Sequence, residues 1–394
     1  MAKHLPISQR AENIAPFHVM DILGRAKALE AQGRDIIHLE IGEPDFPTPQ
    51  PIIDAGIKSL QQQQTFYTPS LGLPELRVAI AGWYQQRYGV TISANRVVVT
   101  PGASGALLLV MGALLEQGKN VLMADPGYPC NRHFASFVSG KAKSIPVDAS
   151  SDFQLTPQHI AEYWDKDSQL ALVASPSNPT GTVLEKPALK ALAEAVKAQN
   201  GTLIVDEIYH GLTYDNIDLP TALSVDDDAI VINSFSKFFG MTGWRLGWAI
   251  VPEALVEVMD RLAQNLYLAA PTVAQYAALA AFDNQTLAML ESRRQLLEQR
   301  RDFLLPALSE LGFKVAGKPQ GAFYLYADCS QLLNDEIPDS MALSKYLLDK
   351  AGVAITPGND FGSHLSHQYC RFAYTNDIAR MTMAIERIRD VNGN

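Results

Sequence analysis

The sequence predicts an α/β protein built from a large doubly wound, mostly parallel sheet domain and a smaller α+β domain. Three observations carry that reading. Short β-branched apolar runs recur with helical stretches between them: Val97-Val98-Val99, Leu170-Ala171-Leu172-Val173-Ala174, Thr202-Leu203-Ile204-Val205 and Ala229-Ile230-Val231-Ile232. Runs that are apolar at every position, not at alternate ones, suit strands covered on both faces. Several runs end in small or polar residues, and the carboxyl ends of such strands are where α/β sheets bind ligands. Finally, 394 residues exceed what one core usually organises, so two domains are expected, 46–284 as the larger and 1–45 with 285–394 as the smaller.

In chain order, residues 13–37 read as an arm and then a helix, with Met20, Ile22, Leu23, Ala26 and Leu29 at helical spacing and Gly33 ending it. Residues 36–41 form a short strand running into Gly42-Glu43-Pro44-Asp45, an irregular turn. Strands at 96–100, 120–124, 170–174, 202–205 and 229–233 are each followed by a loop, with helices at 106–115 and 185–199. An apolar segment follows at 246–251. Helices are then expected at 252–267, 271–282 and 285–311, the last bearing Arg293, Arg294, Glu298, Arg300 and Arg301 on what reads as a solvated face that bridges the domains. Short strands at 313–315, 322–327, 353–356 and 369–374 alternate with helices near 341–350 and 378–390.

Composition excludes several functions. With a formal charge of −10 the chain lacks the basic face that nucleic-acid binding needs. Cys130, Cys329 and Cys370 are too scattered for a disulfide framework or zinc site, and His364 and His367 have no third ligand spaced to join them, so no metal site is expected. Asp226-Asp227-Asp228 reads as a solvated turn. Residues 1–10 contain no leader-like apolar core, and no run of about eighteen apolar residues occurs, which makes a cytoplasmic location the expectation.

The chemistry concentrates after the strand at 229–233, in Ser234-Phe235-Ser236-Lys237-Phe238-Phe239-Gly240-Met241-Thr242-Gly243-Trp244-Arg245-Leu246-Gly247. A lysine in so apolar a setting is desolvated, its ammonium is disfavoured, and its free amine becomes a nucleophile able to form an imine with a carbonyl. Arg245, Ser234 and Ser236 add a charged fork and hydroxyls suited to a phosphate. A second half of a phosphate cup lies in Pro101-Gly102-Ala103-Ser104-Gly105, where a small-residue turn into a helix leaves free N–H groups at the positive end of its dipole, with Ala103 and Ser104 as donors. An aldehyde-and-phosphate cofactor fits both, namely pyridoxal 5′-phosphate. Asn178, Asp206 and Lys237 each terminate a strand and so converge on one rim. A carboxylate such as Asp206 against a pyridine nitrogen keeps it protonated, so the ring can accept electrons from the substrate Cα–H bond. Asn178 and Tyr209 can donate to the ring oxygen.

The Lys237 motif closely resembles the cofactor-lysine signature of the class I/II aminotransferases, in the fold-type I pyridoxal-phosphate enzymes. Three further stretches stand in the family's order: Gly42-Glu43-Pro44-Asp45-Phe46-Pro47-Thr48-Pro49, Ser175-Pro176-Ser177-Asn178-Pro179-Thr180-Gly181 and Asp206-Glu207-Ile208-Tyr209. The resemblance therefore covers nearly the whole chain. It implies that Tyr128 stacks on the cofactor ring and that Arg371 grips the substrate carboxylate with help from Gly42. It also implies that Tyr67 reaches the cofactor phosphate of a neighbouring subunit, which makes a homodimer obligatory. The implied activity is transfer of an amino group from an L-amino acid (aspartate, alanine or aromatic) to a 2-oxo acid such as 2-oxoglutarate by a ping-pong cycle, with Lys237 moving the proton. Carbon–sulfur β-lyases and aminocyclopropane-carboxylate synthases share the lysine, aspartate and arginine, and a catalytically silent ligand-binding relative is a further alternative. In one subgroup of aspartate transaminases a second arginine, from the partner subunit, holds the distal carboxylate; none can be placed by motif here, although Arg25, Arg132 and Arg261 are conceivable.

Overall fold

The computed structural model describes residues 7–392; Met1–Pro6, part of the expected leaderless start and of the small domain, lie outside them. In chain order the strands are β1 (Ile37–His38), β2 (Val97–Thr100), β3 (Asn120–Asp125), β4 (Lys141–Pro146), β5 (Ser168–Ala174), β6 (Thr202–Asp206) and β7 (Ile230–Ser234). They continue with β8 (Gly247–Ile250), β9 (Lys314–Val315), β10 (Tyr324–Asp328), β11 (Val353–Ala354), β12 (Thr356–Pro357) and β13 (Tyr369–Ala373).

Seven of these form one sheet in the order β2-β8-β7-β6-β5-β3-β4. The pairs from β7 through β4 are parallel, whereas β8 runs antiparallel to both β2 and β7. The expectation of a mostly parallel α/β sheet is met, and the one reversed strand has a simple cause. A parallel neighbour needs a crossover, usually a helix, but Phe235–Leu246 contains only the single 3-10 turn Thr242–Trp244. The chain turns back, and that turn carries Lys237. Residues alternate between the two faces: Val97, Val99, Ala171 and Val173 enter one apolar cluster while Val98, Leu170 and Leu172 enter another. Both faces are therefore covered, as the all-apolar runs require.

Two smaller sheets are built mainly from the C-terminal third, in the orders β12-β13-β10-β9 and β1-β11. β1 pairs in parallel with β11, Ile37 beside Val353 and His38 beside Ala354. Several elements differ from the sequence expectations. β4, an edge strand of mixed polarity, has no apolar run to announce it, and the helix expected from residue 106 begins at Gly102. The expected strand at 353–356 divides into β11 and β12.

The 27-residue helix Asn284–Glu310 corrects a further expectation. Its arginines do not form a solvated face. Arg294, Arg300 and Arg301 are buried, each beside a carboxylate. Arg300 holds both oxygens of Asp45 at 2.7 and 2.9 Å, and Arg301 holds both of Asp215 at 2.8 Å. Arg294 is paired with Glu291 and Glu298. A planar guanidinium can leave water when a carboxylate meets its fork bidentately; the helix thus latches loops 45 and 215 instead of facing solvent. The Asp226–Asp228 turn is solvated at Asp227 and Asp228, as expected, with Arg96 on Asp227 and Lys197 on Asp226 and Asp228.

Candidate active site

The carboxyl ends of β5, β6 and β7 open onto a cavity of about 360 Å³, which Asn178, Asp206, Tyr209, Ser234, Ser236 and Lys237 all line. Ala103, Ser104, Tyr128, Arg245, Gly42 and Arg371 line it too, so twelve of the thirteen residues singled out from the sequence meet in one place. Tyr67 is the exception. It is 82% exposed on a loop away from the cavity, next to the equally exposed Phe66.

Lys237 reaches inward between the rings of Tyr209 and Phe323, and its Nζ donates to the Gly42 carbonyl at 2.6 Å. Desolvation lowers its pKa to about 8, opposed by the charge of Glu43. Asp206, at the end of β6, is buried with one carboxylate oxygen accepting the Ile208 N–H at 3.1 Å. Burial raises it to about 7. An acid and an amine in one cavity are thus both pushed toward neutral pH by loss of water, the pattern that marks reactive groups.

At one end stand groups able to hold an anion. Ala103 and Ser104 sit in the first turn of the helix Gly102–Leu114, where N–H groups are unpaired by the helix itself. Ser234 donates to Ser236 at 2.9 Å, and Arg245, in a left-handed conformation (φ 55), leans over Gly102. Gly102 has φ +72, and a Cβ there would stand 2.8 Å from the Arg245 guanidinium. Gly247 is equally constrained, since its Cβ would lie 2.7 Å from the Ala103 nitrogen. The glycines let the helix end close on the sheet.

At the other end Arg371, on β13, lies buried with its guanidinium 4.3 Å from the centre of the Tyr324 ring and 4.9 Å from that of Phe361. It donates to Asn178 Oδ1 at 3.0 Å and to the Glu40 carbonyl at 2.6 Å, while its Nε–H has no partner. Tyr209 is hydrogen-bonded to Tyr324 at 2.9 Å, a partner the sequence did not suggest. Tyr324 also explains Gly42: a Cβ there would stand 2.6 Å from its hydroxyl.

An apolar wall faces these groups. Phe17, Val19, Met20 and Leu23 come from the helix His18–Glu30 and the residue before it, joined by Ile41 and Leu107. Their apolar spacing was visible, but not that one side of the helix faces a cavity. Arg25, Arg132 and Arg261 do not line the cavity of their own chain. Arg25 is paired with Asp349, Arg132 donates to the Asp360 carbonyl, and Arg261 is paired with Glu257.

The donor set fits a phosphorylated aldehyde: N–H groups at a helix end, one desolvated amine with no carboxylate partner, a buried acid with no cation in hydrogen-bond contact, and an orphaned guanidinium N–H beyond it. Fold and site together define an α/β protein with a desolvated lysine in a cavity at the carboxyl ends of its sheet strands. The model of the family aminotransferase class I and II matches residues 34–388. A valine–pyruvate aminotransferase of Mycobacterium tuberculosis is 38% identical over 95% of this chain and 96% of its own length. A (5-formylfuran-3-yl)methyl phosphate transaminase of Methanocaldococcus jannaschii is 36% identical over 98% and 99%. The crystal structure of an aminotransferase from Mycobacterium tuberculosis superimposes with a TM-score of 0.94 at 37% identity, covering 99% of both chains. The chain belongs to the class I and II aminotransferases, a pyridoxal-phosphate-dependent family, and is an enzyme that transfers amino groups between small molecules.

Proposed function

We propose that the enzyme binds pyridoxal 5′-phosphate in this cavity and moves an amino group from a neutral, apolar L-amino acid to a 2-oxo acid by a ping-pong cycle. The observation that carries the reading is the meeting of Lys237 and Asp206, both desolvated, in one cavity. When bound, the cofactor supplies an aldehyde carbon that takes up and returns the amino group and a ring that draws electrons from the substrate Cα–H bond.

The chain's own residues do the rest. Lys237 would hold the aldehyde, and its amine, once released, takes the Cα proton and returns it as base and then acid; a pKa of about 8 leaves both forms accessible near neutrality. Asp206 would face the ring nitrogen, Asn178 and Tyr209 the ring oxygen, and Tyr128 the ring face. Ala103, Ser104, Ser234, Ser236 and Arg245 would hold the phosphate, with Tyr67 supplied by a second copy. The 82% exposure of Phe66 and Tyr67 supports a homodimer, because large apolar side chains that protrude together mark an interface. Arg371 and the Gly42 N–H would receive the substrate carboxylate. Residues 46–284 are then the cofactor domain, and 1–45 with 285–394 the smaller one, a division supported by their separate sheets. We place the enzyme in the cytoplasm; no helix among the described residues is long and apolar enough to cross a membrane.

Charge supports this substrate class. Among the described residues of one chain, the cations that line the cavity are Lys237, Arg245 and Arg371, and each already has a task. Aspartate would bring a second carboxylate to a wall of Phe17, Val19, Met20, Leu23 and Ile41, where an unpaired charge is costly. Alanine, aromatic and branched apolar donors meet no such penalty, and a donor like that in the name of the Mycobacterium relative fits the same wall. By the same argument a neutral 2-oxo acid such as pyruvate is favoured over 2-oxoglutarate as acceptor.

The test follows the visible spectrum of the holoenzyme while L-valine, L-alanine, L-phenylalanine, L-aspartate and L-cysteine are added in turn. Bleaching of the lysine-bound band by apolar donors, reversed by pyruvate, is expected. Bleaching by L-aspartate alone overturns the substrate assignment. Release of ammonia and pyruvate from L-cysteine without dependence on an oxo acid would favour the lyase reading instead.

A further inference from the structure

Arg371 is anchored partly by main chain. Its Nη2 donates to the Glu40 carbonyl at 2.6 Å and to Thr356 Oγ1 at 3.2 Å. Two residues on, the Gly42 carbonyl accepts from Lys237 at 2.6 Å. Residue 40 is therefore a main-chain support of the Arg371 guanidinium, beside Asn178 and Thr356.

Glu40 carries an unusual side chain for that position. It is 0% exposed, yet its Oε2 has no hydrogen-bond partner, and its Oε1 lies 2.7 Å from His38 Nδ1. The His38 ring is 21% exposed, and its Nε2 lies 3.2 Å from Glu30 Oε1 on the helix His18–Glu30. Hydrogen bonding to Glu40 raises His38 to about 9, against desolvation, with Glu30 adding to the rise. The charged groups that face His38 are thus Glu40 on its own segment and Glu30 on the packed helix.

Strand pairing does not need this charge. Leu39 is already tied in by its N–H to the Ala354 carbonyl at 2.9 Å and by the Ala373 N–H to its own carbonyl at 2.7 Å. A buried ion pair contributes little to stability over an apolar pair, but removal of one partner strands the other charge. We propose that His38 and Glu40 form a positioning pair for Arg371. The imidazolium fixes the buried carboxylate, which fixes the backbone at residue 40 and the guanidinium bonded to it. The inference rests on Arg371 as the site of the substrate carboxylate.

His38→Gln tests it in the holoenzyme. The donor KM is expected to rise about tenfold with kcat within about twofold, since substrate binding and not the chemical step loses an interaction. Binding of the unreactive 4-methylpentanoate, measured by calorimetry, weakens by the same factor. Adding Glu40→Gln restores both, because a buried amide needs no counter-charge. In the parent enzyme KM rises as pH passes about 9, where His38 loses its proton, and the double variant shows no such rise. An unchanged KM in His38→Gln overturns the proposal, as does a fall in kcat and thermal midpoint with carboxylate binding intact, or a double variant no better than the single. Arg371→Lys separates the two readings. If it raises KM while His38→Gln does not, only the positioning pair fails; if it leaves KM unchanged, the carboxylate site itself fails.

Discussion

The two ends of the cavity are built in opposite ways. The anion end is local: Ser104, Asp206, Ser234 and Lys237 each sit within a few residues of the strand that delivers them. The carboxylate end is composite, since Arg371 comes from β13, Asn178 follows β5, Glu40 lies in the crossing segment, and the apolar wall comes from the helix His18–Glu30. A local site needs only that the sheet form in register. A composite site needs remote segments held to fractions of an ångström, and it does so here with charges: His38 on Glu40, and Arg300 on Asp45.

That contrast can be broken first at Lys237. Lys237→Ala should lower kcat/KM by about 10⁴-fold, the upper range for a positioned proton carrier. In cofactor-free protein, labelling of this amine by an amine-selective reagent should rise with a midpoint near pH 8, not 10.5, because burial destabilises the ammonium. A midpoint near the ordinary lysine value would show that the site is wet. Next is Arg371→Ala at the composite end. Charged hydrogen bonds contribute about 1.5–3 kcal/mol, so the donor KM should rise roughly 10- to 150-fold with a smaller change in kcat. Equal loss in both parameters would place the arginine in the chemical step instead.

Gly102→Ala probes the anion end by strain. A Cβ at φ +72, 2.8 Å from Arg245, should cost about 1–3 kcal/mol and loosen cofactor retention about tenfold or more, read by fluorescence titration. Unchanged retention would mean that the cup is not where the phosphate sits. The smallest effect is expected from Asp45→Asn, which leaves Arg300 unpaired. With Asp45 partly exposed, about 1 kcal/mol of stability should be lost, seen as a lowered urea midpoint with cofactor binding intact.

Much of the large sheet was legible because its strands are covered on both faces and so read as unbroken apolar runs. β4 was not, since an edge strand has no need of them. The helices Gln50–Gln61 and Pro74–Tyr88 carry proline at their first turns, a usable signal that the neighbouring loops obscured. The helix Asn284–Glu310 misled because a row of arginines looks the same in sequence whether it meets water or carboxylates. Its partners, Asp45 and Asp215, lie far away in the chain.

The sequence by itself determined the strand–loop units and therefore the residues at their ends, because an apolar strand run and the small or polar residues that end it are local features of the chain. It placed an amine, an acid and an amide, Lys237, Asp206 and Asn178, on one rim. Only the tertiary structure decided what faces that rim: which arginines are already paired, which side of the helix His18–Glu30 forms the wall, and that Glu40 reaches Arg371 through its carbonyl and His38 through its carboxylate. Several of these contacts join segments far apart in the chain, Arg371 to Glu40 and Arg300 to Asp45 among them, and charge neutralisation in a desolvated space depends on that geometry rather than on spacing along the chain.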